Sequence, residues 1–311
     1  MKAPGSGRRF APRVARALLL VCLAGQAPEL GATVNRLRVA VTIAPQGWLV
    51  ERIGGEAVDA LVVVGEGESP ATFQPTDAQV TALSRVALYF RIGVPAERGP
   101  WFRALKSHGE LRIVDLRDGL AMRPMSEHGH RHGDHGHDHG HGSGGPDPHV
   151  WLSPRRLLTM AETVARELAA ADPDRRPIYE DGRARLVAEL EELDAELRDR
   201  LAPLTGTPFI VFHPAWGYFA DDYGLRQIAI EIEGKEPSEI ELTRLAREAR
   251  ELGARAIFVQ PQITGRSARS IAAAVGAEVL TIDPLASEVV ENLRRVAELL
   301  VDTAPPKTRE R

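Results

Sequence analysis

The chain has 311 residues, a formal net charge of −4, ten histidines and one cysteine, Cys22. A mildly acidic chain binds nucleic acid poorly, because phosphates select basic surfaces, but it tolerates cations well. With a single cysteine the fold cannot contain an internal disulfide, so burial of apolar side chains must hold it together.

The first 32 residues are typical of a secretory signal peptide. Four arginines precede the apolar run at 17–24, which is shorter than the ~20 residues needed to span a bilayer. We therefore expect cleavage near Ala32 and export of a mature protein to the periplasm. Val21 precedes Cys22, whereas a lipid anchor requires a small residue there, so we expect no lipid anchor.

The first half of the remaining chain alternates between predicted strands and helices. Strands are predicted at 36–42, 58–64, 86–90 and 113–115, with helix-forming segments between them. This spacing favours parallel pairing, so residues 33–153 are predicted to form an α/β lobe around a small doubly wound parallel sheet.

Residues 154–204 are predicted to be helical, and 205–302 to form a second lobe of the same kind. The longest helix is predicted from Pro173 to about Leu201, and the strands of the second lobe at 209–213, 227–232, 256–259 and 279–283. The fold class is thus α/β, with two doubly wound parallel-sheet lobes joined by one long connecting helix. We expect that helix to be a stiff connector that limits hinge closure, the alternative being an ordinary amphipathic surface helix. Residues 303–311 are expected to be a frayed tail.

Seven histidines lie in a segment at 127–142 that contains no apolar residue. Imidazole is the commonest protein ligand for zinc, copper and nickel, and the irregular spacing predicts several loose sites rather than one cage. We expect a mobile metal-collecting loop, the alternative being a polar linker. The loop histidines are His128, His130, His132, His135, His137, His139 and His141.

Three further metal-capable side chains are expected around one crevice. His213 and Asp283 each close a predicted strand, and ligands of parallel α/β sheets bind beyond the carboxyl ends of the strands. His149 could reach the same crevice from the first lobe. A single strand-end histidine or aspartate is more often a cap or a hydrogen-bonding group, but three beside a histidine loop favour a metal site. Trp151 and Trp216 are expected to be core or lobe-interface anchors.

Four motifs occur in the order of a known family: DPHVWLSP at 147–154, VFHPAWGYF at 211–219, EPS at 236–238 and IDPL at 282–285. With the histidine-rich segment directly before the first, the chain resembles the zinc/manganese-type solute-binding proteins of metal ABC importers. The resemblance implies two α/β lobes joined by a long helix, a metal bound between them, and delivery to an ABC-type membrane permease. It implies His149, His213 and Asp283 as ligands. We also expect a monomer.

One position departs from the family pattern. Ala71, in SPATFQP at 69–75, stands where the family usually has a histidine ligand. The fourth coordination position could be filled by water, by Glu231 or by a loop histidine, and Gln260 is a weak further candidate. Glu231 could instead pair with Lys235 or Arg226.

Two imidazoles and a carboxylate suit Zn²⁺, with Mn²⁺ as the alternative, and the histidine loop favours zinc. A periplasmic zinc store or metallochaperone without an importer is a second hypothesis. A zinc hydrolase is a remote third, because the sequence has neither HExxH nor G-x-S-x-G, and no evident general base. We therefore expect a binding protein rather than an enzyme.

Overall fold

The computed structural model describes Met1 and residues 36–107, 111–125, 145–231, 237–263 and 265–304. Residues 2–32 of the predicted signal peptide, the histidine loop at 127–142 and residues 305–311 of the predicted tail lie outside the described residues. No helix in the described ranges is long and apolar enough to cross a membrane.

The first sheet has four parallel strands in the order β2-β1-β3-β4. The strands are β1 (Leu37–Val41), β2 (Val58–Val62), β3 (Leu88–Arg91) and β4 (Arg112–Asp115). Three helices follow the first three strands: α1 (Ala44–Gly54), α2 (Asp77–Leu83) and α3 (Pro100–Lys106). Residues 39–41 of the central strand β1 are fully buried, which is why this part of the strand is a continuous apolar run, whereas Arg38 before it is exposed.

Two helices connect the sheets, α4 (Pro154–Ala171) and α5 (Arg176–Leu201). At 26 residues, α5 is roughly 39 Å long. The predicted start at Pro173 was three residues early. Pro177 has no N–H to donate one turn back, so residues Pro173–Arg175 form a separate 3₁₀ turn before the α-helix begins.

The second sheet repeats the strand order of the first, as β6-β5-β7-β8, and is also parallel throughout. Its strands are β5 (Pro208–Val211), β6 (Arg226–Ala229), β7 (Ala256–Val259) and β8 (Glu278–Thr281). Its helices are α6 (Gly217–Asp222), α7 (Glu239–Glu251), α8 (Arg266–Val275) and α9 (Val289–Thr303). The predicted fold class of two parallel-sheet α/β lobes joined by a long helix is therefore confirmed.

Helix α5 packs against both lobes. A Cβ at Gly182 would lie 2.0 Å from the carbonyl oxygen of Ile53, so α5 and the end of α1 approach as closely as a glycine allows. On the other side, Arg294 Nε of α9 lies 2.8 Å from Glu196 Oε2 of α5. These contacts agree with a connector that restrains both lobes.

Candidate metal-binding site

His149 is held by a buried carboxylate two residues before it. Asp147 Oδ1 lies 2.7 Å from His149 Nδ1 and accepts the backbone N–H of His149 at 3.0 Å. The Asp147 side chain is fully buried. A 3₁₀ turn at Val150–Leu152 and helix α4, which Ser153 caps, follow directly. Main chain and side chain therefore both determine where this imidazole points.

His213 lies two residues beyond β5 and is held in the same way. Its Nδ1 is 2.7 Å from Oε1 of Glu231, which lies two residues beyond β6. Since β5 and β6 are parallel neighbours, their carboxyl ends lie side by side and bring these two residues together. The Glu231 N–H also donates to the Phe212 carbonyl at 3.0 Å.

The two imidazoles face each other through their remaining nitrogens, with His149 Nε2 and His213 Nε2 3.2 Å apart. An ionised carboxylate only accepts hydrogen bonds, so in the neutral imidazoles that bind a metal the proton is assigned to Nδ1 and the lone pair to Nε2. Two lone pairs at this distance repel unless a cation lies between them. Two nitrogens bound to a tetrahedral zinc, each at ~2.0–2.1 Å, are about 3.3 Å apart. The pair thus has the spacing of two ligands of one ion.

Burial lowers the pKa of His149, and the hydrogen bond to Asp147 opposes this shift only in part. The imidazole is therefore neutral at neutral pH, which is the form that binds a metal.

Asp283 lies two residues beyond β8, and its carboxylate is bound within its own lobe. Its Oδ1 accepts from Gln262 Nε2 at 3.1 Å and from the Leu285 N–H at 2.9 Å. In the described part of the chain, no three or more His, Cys, Asp or Glu residues are grouped so as to hold a metal. The structure thus brings together His149 and His213 but does not add Asp283, whose role as a ligand stays a prediction.

Trp151 and Trp216 are buried, as expected of anchors. The indole N–H of Trp151 donates to the Pro284 carbonyl at 2.6 Å, which ties the segment of His149 to that of Asp283. The backbone N–H of Trp216 donates to Gln227 Oε1 at 2.7 Å.

Ala71 is exposed in the loop between β2 and α2. This loop is fixed by a hydrogen bond of 2.8 Å from the Ala96 N–H to the Pro70 carbonyl.

The two ends of the histidine segment meet beside the site. The Met125 N–H donates to the Gly145 carbonyl at 3.2 Å, and the Asp147 N–H to the Arg123 carbonyl at 2.9 Å. Pro124 and Pro146 form an antiparallel bridge between them. We call residues 123–125 and 145–147 the loop stem.

Asp147 is the site residue that the sequence analysis missed as a partner of a ligand. The available signal was its position two residues before His149, with Pro148 fixing the backbone between them.

The chain is similar to known proteins of zinc uptake and metal binding. A family model described as "Zinc-uptake complex component A periplasmic" matches residues 39–301. A putative metal-binding protein of Treponema pallidum is 31% identical over 257 residues, covering 80% of this chain and 79% of the relative. The high-affinity zinc uptake system protein ZnuA of Bacillus subtilis is 28% identical over 283 residues, covering 88% and 86%. A crystal structure of a ZnuA protein superposes with a TM-score of 0.78 at 38% identity, covering 86% of this chain and 99% of that one.

Proposed function

The chain belongs to the family of periplasmic zinc-uptake components, and on this premise we propose that it captures one Zn²⁺ ion with His149 and His213 as ligands and delivers it to an ABC-type permease. Zinc is the cargo in this function and takes part in no reaction. The family consists of metal-binding transport proteins, and the arrangement of the two histidines suits reversible capture.

The observation that carries the proposal is the 3.2 Å separation of the two Nε2 atoms. It is combined with a carboxylate on each Nδ1, at 2.7 Å in both cases. Histidine ligands of metals commonly donate their second N–H to a carboxylate, which fixes the ring and raises the basicity of the ligating nitrogen. Neither feature is needed by a histidine that only fills space in a core.

Asp283 and water would complete the coordination shell. Both histidine segments are already in place, whereas Asp283 must leave Gln262 to reach a metal between them. The hydrogen bond from the Trp151 indole N–H to the Pro284 carbonyl, which links the segment of His149 to the residue after Asp283, supports this assignment. Glu231 contacts His213 through Nδ1, on the ring edge away from His149, so we assign it an orienting role in preference to that of the fourth ligand.

The remaining steps concern supply and delivery. The N-terminal segment would direct export to the periplasm, the loop at 127–142 would collect zinc on weak sites, and a monomer would present the bound ion to the permease.

Crystals grown with zinc, measured on both sides of the zinc absorption edge, test the proposal. One anomalous peak should lie ~2.0–2.1 Å from both Nε2 atoms. In titrations with a competing chelator, His149→Ala and His213→Ala should each abolish tight binding, while His132→Ala, in the loop, should not. A tight site that survives both substitutions would overturn the proposal.

A further inference from the structure

The guanidinium of Arg123 lies between the segment that holds His149 and the helix that follows His213. Arg123 Nη1 is 3.4 Å from Asp147 Oδ2, and Arg123 Nε is 3.1 Å from Asp221 Oδ2 in α6. The Arg123 side chain is 22% exposed and that of Asp147 is fully buried. One arginine thus contacts carboxylates on both sides of the boundary between the lobes.

Gly217, the first residue of α6, makes room for this arginine. A Cβ built on Gly217 would lie 1.2 Å from Arg123 Nη1, 2.5 Å from Arg123 Cζ and 3.1 Å from Asp147 Oδ2. Its backbone is helical, and glycine is a poor helix former, so local conformation does not call for glycine here. Glycine is required at this position because the Arg123 guanidinium occupies the space that a Cβ would take.

The Tyr218 side chain links the same elements through main-chain groups of Arg123 and Asp147. The Tyr218 hydroxyl accepts the Arg123 N–H at 3.1 Å and donates to the Asp147 carbonyl at 2.9 Å. The Arg156 guanidinium lies over the Tyr218 ring, 4.2 Å from its centroid. Helix α6 is therefore attached to the loop stem at both Arg123 and Asp147.

We propose that Arg123, packed against Gly217, is a positioning residue. It holds the two zinc-binding imidazoles at the spacing of metal ligands before the ion binds. Asp147 uses Oδ1 for the Nδ1 of His149 and turns Oδ2 towards Arg123. By holding Oδ2, Arg123 fixes the orientation of this buried carboxylate, so that Oδ1 stays within hydrogen-bond distance of His149 Nδ1 and the His149 Nε2 faces His213.

The same guanidinium sets the separation of the two histidines. It spans from Asp147 to α6, which begins four residues after His213. Fixing both imidazoles in the metal-free protein lowers the ordering cost of binding. The proposal rests on the proposed function, because it assumes that these two nitrogens take up zinc.

The test compares Arg123→Met and Gly217→Ala with the control Arg52→Met in otherwise full-length protein. Arg52 forms an ion pair with Glu189 between α1 and α5 and lies outside the site, so its removal reports the cost of losing an interhelical arginine. Two quantities are measured: zinc affinity against a chelator, and the ¹⁵N shifts of the His149 imidazole in metal-free protein, which report its tautomer.

We expect Arg123→Met and Gly217→Ala each to weaken zinc binding by about 10- to 100-fold, the usual effect of losing a group that orients a ligand. The metal-free His149 should lose its fixed Nδ1–H tautomer, and Arg123→Lys should restore part of both properties. Because Gly217 acts through Arg123, the double variant should be little worse than Arg123→Met alone. Arg52→Met should alter neither property.

The proposal is overturned if Arg123→Met leaves both the affinity and the tautomer unchanged, or if Gly217→Ala adds its full effect in the Arg123→Met background. Failure of the proposed function looks different, since wild-type protein would then bind no tight zinc. The tautomer in metal-free protein would still decide whether Arg123 positions His149.

Discussion

The indole N–H of Trp151 and the carbonyl oxygen of Pro284 form a 2.6 Å hydrogen bond that joins the segment after His149 to the residue after Asp283. The Trp151 ring also lies 5.2 Å, centroid to centroid, from the His149 ring. A single side chain thus supports one predicted ligand and holds the backbone next to another.

Trp151→Phe should lower the free energy of unfolding by about 1–3 kcal/mol, because an aromatic ring still occupies the site while the buried Pro284 carbonyl loses its donor. Urea unfolding followed by circular dichroism measures this loss. Trp101→Phe is the matched control, since the buried Trp101 Nε1 has no hydrogen-bond partner among the described residues. Equal losses in the two variants would contradict a specific contribution from the Trp151 bond.

Glu231→Gln should weaken zinc binding by about 10- to 100-fold without changing the number of ligands around the ion. The reason is that Glu231 contacts Nδ1 of His213, whereas zinc is expected on Nε2. X-ray absorption at the zinc edge counts the ligands in both proteins. Loss of one oxygen neighbour in the variant would instead identify Glu231 as the fourth ligand.

Zinc affinity should be constant above about pH 7 and fall clearly between about pH 7 and 5, because protons compete for the imidazoles, whose ordinary pKa is ~6.5. Burial lowers the pKa of His149, so the folded protein binds a proton there less readily than the unfolded chain does. The contribution of His149 to the free energy of unfolding is therefore fully present above the ordinary histidine pKa. It is lost as the pH falls towards the lowered pKa of His149 in the folded protein. Calorimetric titrations with zinc across this pH range measure the change in affinity. A dissociation constant that does not change with pH would mean that the histidines are not ligands.

Deleting residues 127–142 should remove the weak zinc sites and leave the tight one. The deletion joins Ser126 to Ser143, close in the chain to Met125 and Gly145, which are already paired in the loop stem. Calorimetry should show one site where the intact protein shows several. Loss of the tight site with the loop would place a loop histidine within it.

Ala71→His should raise zinc affinity by about tenfold, ~1.4 kcal/mol, if water now fills the position that this histidine would take. The loop around Ala71 is held at Pro70 by Ala96, so the new imidazole would start from a fixed backbone. The measurement is a chelator competition on intact protein and on the 127–142 deletion. A gain only after the deletion would identify a loop histidine as the native fourth ligand, and no gain in either protein would point to Glu231 or to a different site geometry.

The sequence by itself determined the order of the strands and helices and the two residues that meet at the site. Buried parallel strands are continuous apolar runs, as at 39–41 and 209–211, and such runs can be recognised without knowing their neighbours. His213 follows such a run, and His149 stands in a motif whose proline restricts the backbone.

Tertiary structure alone decided how the His213 imidazole is held and where Arg123 lies. Glu231 reaches His213 because β5 and β6 pair in parallel, and Arg123 reaches Gly217 because the loop stem packs on α6. The Asp283 carboxylate accepts hydrogen bonds from Gln262 and from the Leu285 N–H within its own lobe. Local apolar periodicity records which residues are buried, whereas these pairings join side chains far apart in the chain and depend on how the lobes pack.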